Sequence, residues 1–414
     1  MAKNDRRVVV TGLGPVTPIG IGIEEFRDAL LQGKNGISLL PVDEYTEDFP
    51  IKIAGQVCDF DSSNYGIDVK SAKRMSRPDK MGIAATGLAL KNARLHIGNQ
   101  NGDVLPEDVD ICLGVGIGGN TTSMIEMERF SSGKKIKPFT VPQIMPNSAA
   151  AQIGLHYGIK GEAVTTNSAC ASSGTAIGDA YYRIKGGKDV IVVGGLEACI
   201  NKFSLSAFDS MRALSRSEEP KYQVYDENSQ GFVMGEGAGM LVLESEEHAL
   251  ERDAPIYAEI LGYGASTDAQ HIASPDLEGR QLSRAVRLSL KDAGISPEEI
   301  KYVNSHGTGT MNDRIETKVM KDIFGDLASE IPISSTKPMI GHLLGGATAV
   351  ETIATILAMN YNFLPGTINL EKSINGLNYV KEARTHQYTP KALKFSSGFG
   401  GHNTSLVLGR YVRS

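Results

Sequence analysis

The sequence predicts an α/β protein built from two similar units, on three observations. Short apolar runs bounded by glycine alternate with helix-like stretches along the chain. Each half opens on a strand and later sets a reactive-looking residue ahead of an apolar, small-residue helix: Cys170 in the first half, His342 in the second. Charge rises and a proline follows at "EHALERDAP", residues 247–255, which divides the chain into 1–255 and 256–414. Residue by residue the halves are only weakly alike; the order of elements carries the likeness.

The elements follow in order. "RRVVVTGLG" reads as a buried strand and "IEEFRDALLQG" as a helix ended by Gly33. "DVDICLGVGIGG" is a strand running into a glycine turn, "GTAIGDAYYRIKGG" a helix, and "DVIVVGGLEA" another buried strand. "GAGMLVLES" and "APIYAEILGYGAS" are two more strands, and "EGRQLSRAVRLSLKDAG" is an amphipathic helix ended by Gly294. "IKYVNSHGTG" is a strand ending in polar chemistry, "HLLGGATAVETIATILAMN" a long apolar helix, and "TSLVLGRY" a closing strand.

Composition narrows the function. With 414 residues the chain is long enough for two domain-sized units, and 41% apolar with 22% charged residues is ordinary for a globular protein. A net charge of −6 argues against a general nucleic-acid binder. No stretch reaches the roughly 18 apolar residues of a membrane helix. The opening "MAKNDRRVVVTGLGPVTP" holds an apolar run too short for a signal peptide. Cys58, Cys112, Cys170 and Cys199 are scattered, so neither a zinc site nor a disulfide framework is expected, and a reducing cytoplasm is the expected compartment. The histidines lack metal-ligand spacing, and there is no Walker A lysine motif, HExxH or GxSxG. "GVGIGGN" at 114–120 lacks the spacing of a dinucleotide loop and reads as a close-packed turn.

Four stretches bear chemistry. In "TTNSACASSGTAIGDA" a helix begins just after Cys170, where free N–H groups and the helix dipole favour a thiolate and lower its pKa. The bland alternative is a cysteine acting as a small hydrophobe. In "NSHGTGTMNDRIET" His306 follows a strand and precedes a glycine turn, and Thr308 and Thr310 alternate so that their hydroxyls point the same way. In "SSTKPMIGHLLGGATAVE" Lys337 lies in a loop and His342 in the first helical turn, where the dipole keeps an imidazole neutral and able to donate to an oxyanion. In "FSSGFGGHNTS" one aromatic, Phe399, is flanked by glycines and makes a credible gate. The alternatives are a turn histidine, a capping histidine, a solvated lysine and a core phenylalanine in a tight hairpin.

Taken together, these stretches resemble the β-ketoacyl-[acyl-carrier-protein] synthases of the thiolase superfamily, specifically the elongating enzymes, along nearly the whole chain. "VVVTGLGPVTPIG", "SACASSGTAIGDA", "GFVMGEGAG", "NSHGTGT", "STKPMIGHLLGGA" and "GFGGHN" carry the resemblance. Initiating synthases would show Cys–His–Asn and thiolases a second catalytic cysteine; here the third member matches as His342. A non-catalytic, chain-length-determining partner subunit is the alternative, and the presence of Cys170 argues against it.

The resemblance implies a five-layer αβαβα fold of two similar halves, and a homodimer or a heterodimer with a ketosynthase-like subunit. It implies that Cys170 holds an acyl group, with the N–H groups of Cys170 and Phe399 as oxyanion hole. His306 and His342 then polarise the thioester of a malonyl group on an acyl carrier protein. CO₂ leaves, and the carbanion attacks the acyl-Cys170 carbonyl. Lys337 matches the lysine that organises the histidines, and Thr308 and Thr310 the hydroxyls that hold the phosphopantetheine arm, beside Gly400 and Gly401. Glu351 matches an acidic position behind the site, sometimes linked to a structural cation. No cofactor or catalytic metal is expected, since phosphopantetheine arrives on the carrier.

Three segments depart from the family pattern. Phe395-Ser396-Ser397 stands where the glycine loop usually begins Asn-Ser-Phe, Met311-Asn312-Asp313 replaces a Pro-Leu-Gly-Asp run, and "YQVYDENSQGF" replaces an Arg-Pro-Phe-Asp segment. They point toward a polyketide or polyene pathway rather than housekeeping fatty-acid elongation. An acidic carrier calls for a basic patch, offered by Lys70, Lys73 and Arg74 and by Lys134 and Lys135.

Overall fold

The run Val8–Thr17 is buried at every position, as a strand covered on both faces must be. It is β1 of a computed structural model that describes residues 6–99, 102–374 and 376–413. In the first half it is joined by β2 (Val109–Val115), β3 (Ala163–Thr166), β4 (Val190–Glu197) and β5 (Gly237–Ser245), in the order β3-β2-β4-β5-β1. The second half supplies β6 (Ala258–Thr267), β7 (Tyr302–Asn304), β8 (Ile333–Ser334), β9 (Lys391–Gly398) and β10 (His402–Gly409), in the order β8-β7-β9-β10-β6. Both orders have the same pattern. The β3-β2-β4 and β8-β7-β9 runs are parallel, and the remaining neighbours are antiparallel. Val8, Val9 and Val10 pair antiparallel with Ile260, Glu259 and Ala258, which joins the first and second five-stranded sheets edge to edge into one continuous ladder.

After the early helix α1 (Ile23–Gln32, closed by Gly33 in the left-handed conformation), α2 (Arg77–Ala93) and α3 (Ser148–Tyr157) cover the outer face of the first sheet. Helix α4 (Ser172–Lys185) touches strands of both sheets. On the second sheet lie α5 (Arg280–Ala293) and, beside it, α6 (Asn312–Phe324). The last long helix, α7 (Ala347–Tyr361), is buried from Ala347 through Met359 and also touches both sheets. A helix apolar all round belongs in the interior, and α4 and α7 form the middle layer of the expected αβαβα stack.

Two placements differ from the sequence reading. The apolar run from His342 predicts helix from its start, but Gly341 (φ 78°) and Leu344 (φ 42°) take left-handed backbone, and α7 begins only at Ala347. Lys337 does not lie in a loop: it heads the one-turn helix Lys337–Ile340 and is fully buried.

Among the described residues no helix is long and apolar enough to cross a membrane. All four cysteines are free.

Candidate active site

The two halves use equivalent connections. Cys170 sits after β3 in the tight turn Ala169–Ala171 that feeds α4, and His342 sits after β8 ahead of α7. Ala169, just before the cysteine, holds a left-handed φ of 52°, a strained conformation for a residue with a side chain. The turn is pressed by the hairpin β9–β10: a Cβ on Gly398 would lie 2.8 Å from the Ser168 carbonyl and 3.0 Å from the Cys170 nitrogen. Only glycine lets the hairpin tip come this close.

A cavity of about 580 Å³ opens on the sulfur, and Cys170, His306, His342, Thr308, Thr310, Phe399 and Gly401 all line it. Segments around Met311, Asp226 and Ser397 line it too, so all three departures from the family pattern face the substrate space. The backbone N–H groups of Phe399 and Cys170 lie near enough to the thiol to favour its ionised form. Burial nonetheless pushes that thiol up to about 11, against the pull of Lys337 and of those N–H groups. The expected low-pKa thiolate is therefore corrected. Helix α4 starts beyond the sulfur at Ser172, and loss of water outweighs the donors.

His306 stands two positions past the end of β7, and its ring meets that of His342 edge-on, centroids 5.3 Å apart at 81°. Phe232 meets the His342 ring at 5.3 Å. Burial first, then the ammonium groups of Lys337 and Lys394, hold both imidazoles well below their usual range. Both are neutral, as expected, with burial the largest cause at each, and His342 lies ahead of α7 rather than in its first turn. Lys337 Nζ donates to the His306 carbonyl at 2.5 Å and lies 3.4 Å from His306 Nδ1. An ammonium only donates, so Nδ1 accepts and the ring proton sits on Nε2, on the side away from Lys337.

Behind this pair Glu351 is fully buried and ion-paired with Lys337, and its second oxygen lies 2.8 Å from Lys394 Nζ. Lys394 is absent from the sequence reading. Its only signal is a lysine inside the apolar run "ALKF" just upstream of the glycine loop.

Thr308 and Thr310 bring their hydroxyls 2.9 Å apart, as their alternation suggested. Their loop hangs on two carboxylates of α6: Asp313 accepts from the N–H groups of Thr308 (2.8 Å) and Gly309 (3.1 Å), and Glu316 from Gly307 (3.0 Å). Burial pushes both carboxyls up, and the charge of Asp313 raises Glu316 further. The anchoring role of these acids was missed too: Asp313, in the first turn of α6, reads as a dipole partner, and Glu316 as an ordinary helical acid.

The glycine run at 114–120 is the close-packed turn expected. The N–H groups of Gly116, Ile117 and Gly118 converge on the Glu197 carboxylate at 2.9, 3.0 and 2.9 Å.

Phe399 is half-buried at a tight hairpin rather than a core side chain. It tips the β9–β10 hairpin and also walls the cavity, stacked on Phe208 with centroids 6.3 Å apart. Gly400 and Gly401 have φ of 83° and 76°. Gly400 N–H donates to Ile272 O at 2.8 Å, and Gly401 O accepts from Asp268 at 2.8 Å. Ser397 hydrogen-bonds Asn403, which donates to Asp268 at 2.7 Å, so a polar chain fills the place of the missing aromatic.

Lys70, Lys73, Arg74, Lys134 and Lys135 are exposed and do not line the cavity. The Arg74 guanidinium lies over the Phe139 ring at 4.7 Å, which makes the two basic stretches neighbours.

Comparison with known proteins bears directly on this arrangement. The model of the beta-ketoacyl synthase N-terminal domain matches residues 5–249, and that of the C-terminal domain matches residues 257–371. The chain belongs to the β-ketoacyl synthases. It is 39% identical over 418 residues to 3-oxoacyl-[acyl-carrier-protein] synthase 2 of Synechocystis sp., covering 98% of each chain. Among solved structures it is similar to the ishigamide ketosynthase/chain length factor (TM-score 0.89, 31% identity, 98% of this chain and 100% of that one). It is equally similar to AntDE:AntF, a type II polyketide ketosynthase bound to the hexaketide and in complex with its acyl-carrier protein (TM-score 0.89, 30% identity, 98% and 100%). The β-ketoacyl synthase described here is an acyltransferase-type condensing enzyme of the thiolase fold.

Proposed function

We propose that Cys170, His306 and His342 divide the condensation between them. The observation that carries this is one cavity shared by a thiol under two backbone N–H groups and two neutral imidazoles. Cys170 takes the acyl group from a carrier thioester, and the N–H groups of Cys170 and Phe399 hold the carbonyl oxygen as it becomes an oxyanion. The two imidazoles donate to the thioester oxygen of the malonyl extender while CO₂ leaves. Neutral donors suit this, because they stabilise the enolate without a proton transfer that would quench it. Intact-protein mass spectrometry after mixing with acyl carrier protein substrates of graded chain length tests the reading. An acyl adduct on Cys170, discharged to a β-ketoacyl product on adding malonyl carrier, is the expected result. Failure of every chain length to load would remove it.

The carrier docks on the basic patch in this reading. Reversing charge at Lys70, Arg74, Lys134 and Lys135 is expected to lower kcat/KM for carrier-bound acyl groups by at least about tenfold at low salt, chiefly through association. Use of small thioester mimics is unchanged. Equal losses with both substrate types would place the defect in the cavity.

A second ketosynthase-type subunit covers the segment before the edge strand β3. Met127, Phe130, Val141 and Leu155 are exposed there, Leu155 at 79%, and β3 itself is only partly buried. Sedimentation of the purified chain shows whether a copy of itself suffices.

Phe399 acts as a gate. Its hairpin tip is held to the 268–272 loop by two backbone hydrogen bonds, few enough to break when an acyl chain displaces the ring. Phe399→Ala is expected to slow condensation more than acyl loading in burst kinetics. Equal slowing of both steps would make Phe399 a cavity wall.

A further inference from the structure

Two buried ammonium groups share one buried carboxylate behind the histidines, and the mechanism above uses only one of them. Lys337 takes one oxygen of Glu351 and reaches His306. Lys394 Nζ lies 2.8 Å from the other oxygen, a charge contact without hydrogen-bond alignment, and it donates to Phe395 O at 2.6 Å and Ser305 O at 3.2 Å. Both side chains of the Lys394–Glu351 pair are fully buried. One carboxylate oxygen and two carbonyl oxygens around a single positive charge, sealed from water, is the donor set by which a hard monovalent cation is held. The family resemblance attaches a structural cation to the position of Glu351. The residues of this chain do not fit one, because the ammonium of Lys394 fills the space beside the second oxygen.

The place of this ammonium gives it a task. Ser305 precedes His306, Phe395 opens the run into the gate hairpin, and Glu351 stands on α7. One charge therefore ties the histidine loop, the glycine hairpin and the central helix together. Two positive charges against one negative leave a surplus beside the imidazoles, and that surplus helps hold them neutral.

We propose that Lys394 is a tethered cation, a positioning residue that stands in for a monovalent metal ion beside Glu351 and makes condensation independent of added alkali ions. The proposal rests on the catalytic reading of His306, through which Lys394 acts, and it touches no substrate.

The test compares wild type, Lys394→Ala and Lys394→Met in potassium, sodium and tetramethylammonium chloride at equal ionic strength, reading kcat for condensation and the thermal midpoint. Wild type is expected to be indifferent to the salt. Lys394→Ala leaves an oxygen-lined hole, so its kcat falls roughly tenfold or more in tetramethylammonium and is restored, saturably, by potassium or sodium, with a matching rise in thermal midpoint. Lys394→Met fills the same space without charge and is expected to be slow in every salt. Alkali activation of wild type would overturn the proposal. So would full activity of either variant in tetramethylammonium, or a Lys394→Ala variant that neither small cation restores in rate or stability. A wild type that fails to condense would instead remove the catalytic reading, while the salt dependence of the thermal midpoint of Lys394→Ala still decides on the tethered cation.

Discussion

Replacing Cys170 by alanine is expected to abolish acyl transfer and condensation, a loss on the order of 10⁴- to 10⁶-fold, as for removal of other covalent nucleophiles. The expectation follows from the geometry of the turn. Ala169 is strained, Gly398 presses against the Cys170 nitrogen, and the thiol on the cavity wall lies under two N–H groups. The thiol is pushed up to about 11, so at neutral pH it waits protonated. Its proton must leave as the thioester is attacked and ends on the departing carrier thiol, while the neutral imidazoles in the same cavity remain donors. Cys170→Gln leaves those imidazoles in place. It is expected to keep releasing CO₂ from malonyl thioesters while forming no condensation product. Radiolabelled CO₂ release and product analysis separate the two activities. Condensation surviving in Cys170→Ala would remove the nucleophile, and loss of CO₂ release in Cys170→Gln would show that the histidines depend on the thiol.

Much of this site was legible because its parts announce themselves locally. Cys170, His306 and His342 each follow a strand end amid glycine and serine, and backbone turns at such places expose side chains to a common crevice. Thr308 and Thr310 were read from alternation alone, and their hydroxyls meet. What stayed hidden depends on partners far away in sequence. Lys394 carries no local signal of its role until Glu351 of α7 is placed beside it. The start of α7 was misplaced because Leu343 and Leu344 look helical, and only a left-handed φ at Leu344 breaks the run. The expected thiolate failed for the same reason: a helix dipole can be read from local sequence, but the exclusion of water around a sulfur cannot. Helix α2 was passed over because buried residues, alanines prominent among them, occur all round it, which blurs the periodicity of an amphipathic helix.

Glu351→Gln is expected to destabilise the fold by about 3–5 kcal/mol, the usual cost of removing one partner from a buried ion pair. It is also expected to stop condensation. The carboxylate is the only anion held between Lys337 and Lys394, and all three side chains are fully buried. Without it, two ammonium groups face each other with no water to screen them, and one must give up its proton to remain inside. Already in the native protein burial lowers Lys394 to about 8 from 10.5, with Glu351 opposing the shift. Removing the carboxylate lowers it further. A lysine lowered on folding binds fewer protons folded than unfolded, so its contribution to stability rises with pH across the interval between the two values. The variant should therefore regain stability between roughly pH 7 and 10, and chemical denaturation at several pH values reads this slope. A flat profile, with stability close to wild type at pH 7, would mean that Glu351 carries no charge in the native protein. Replacing all three side chains at once, Lys337→Met, Glu351→Leu and Lys394→Met, separates folding from catalysis. Apolar groups of similar volume remove the unpaired charge, so much of the lost stability should return. Activity should not, because the His306 loop has lost the ammonium at its carbonyl and Nδ1. Recovery of both together would show that the buried charges serve only to hold the fold.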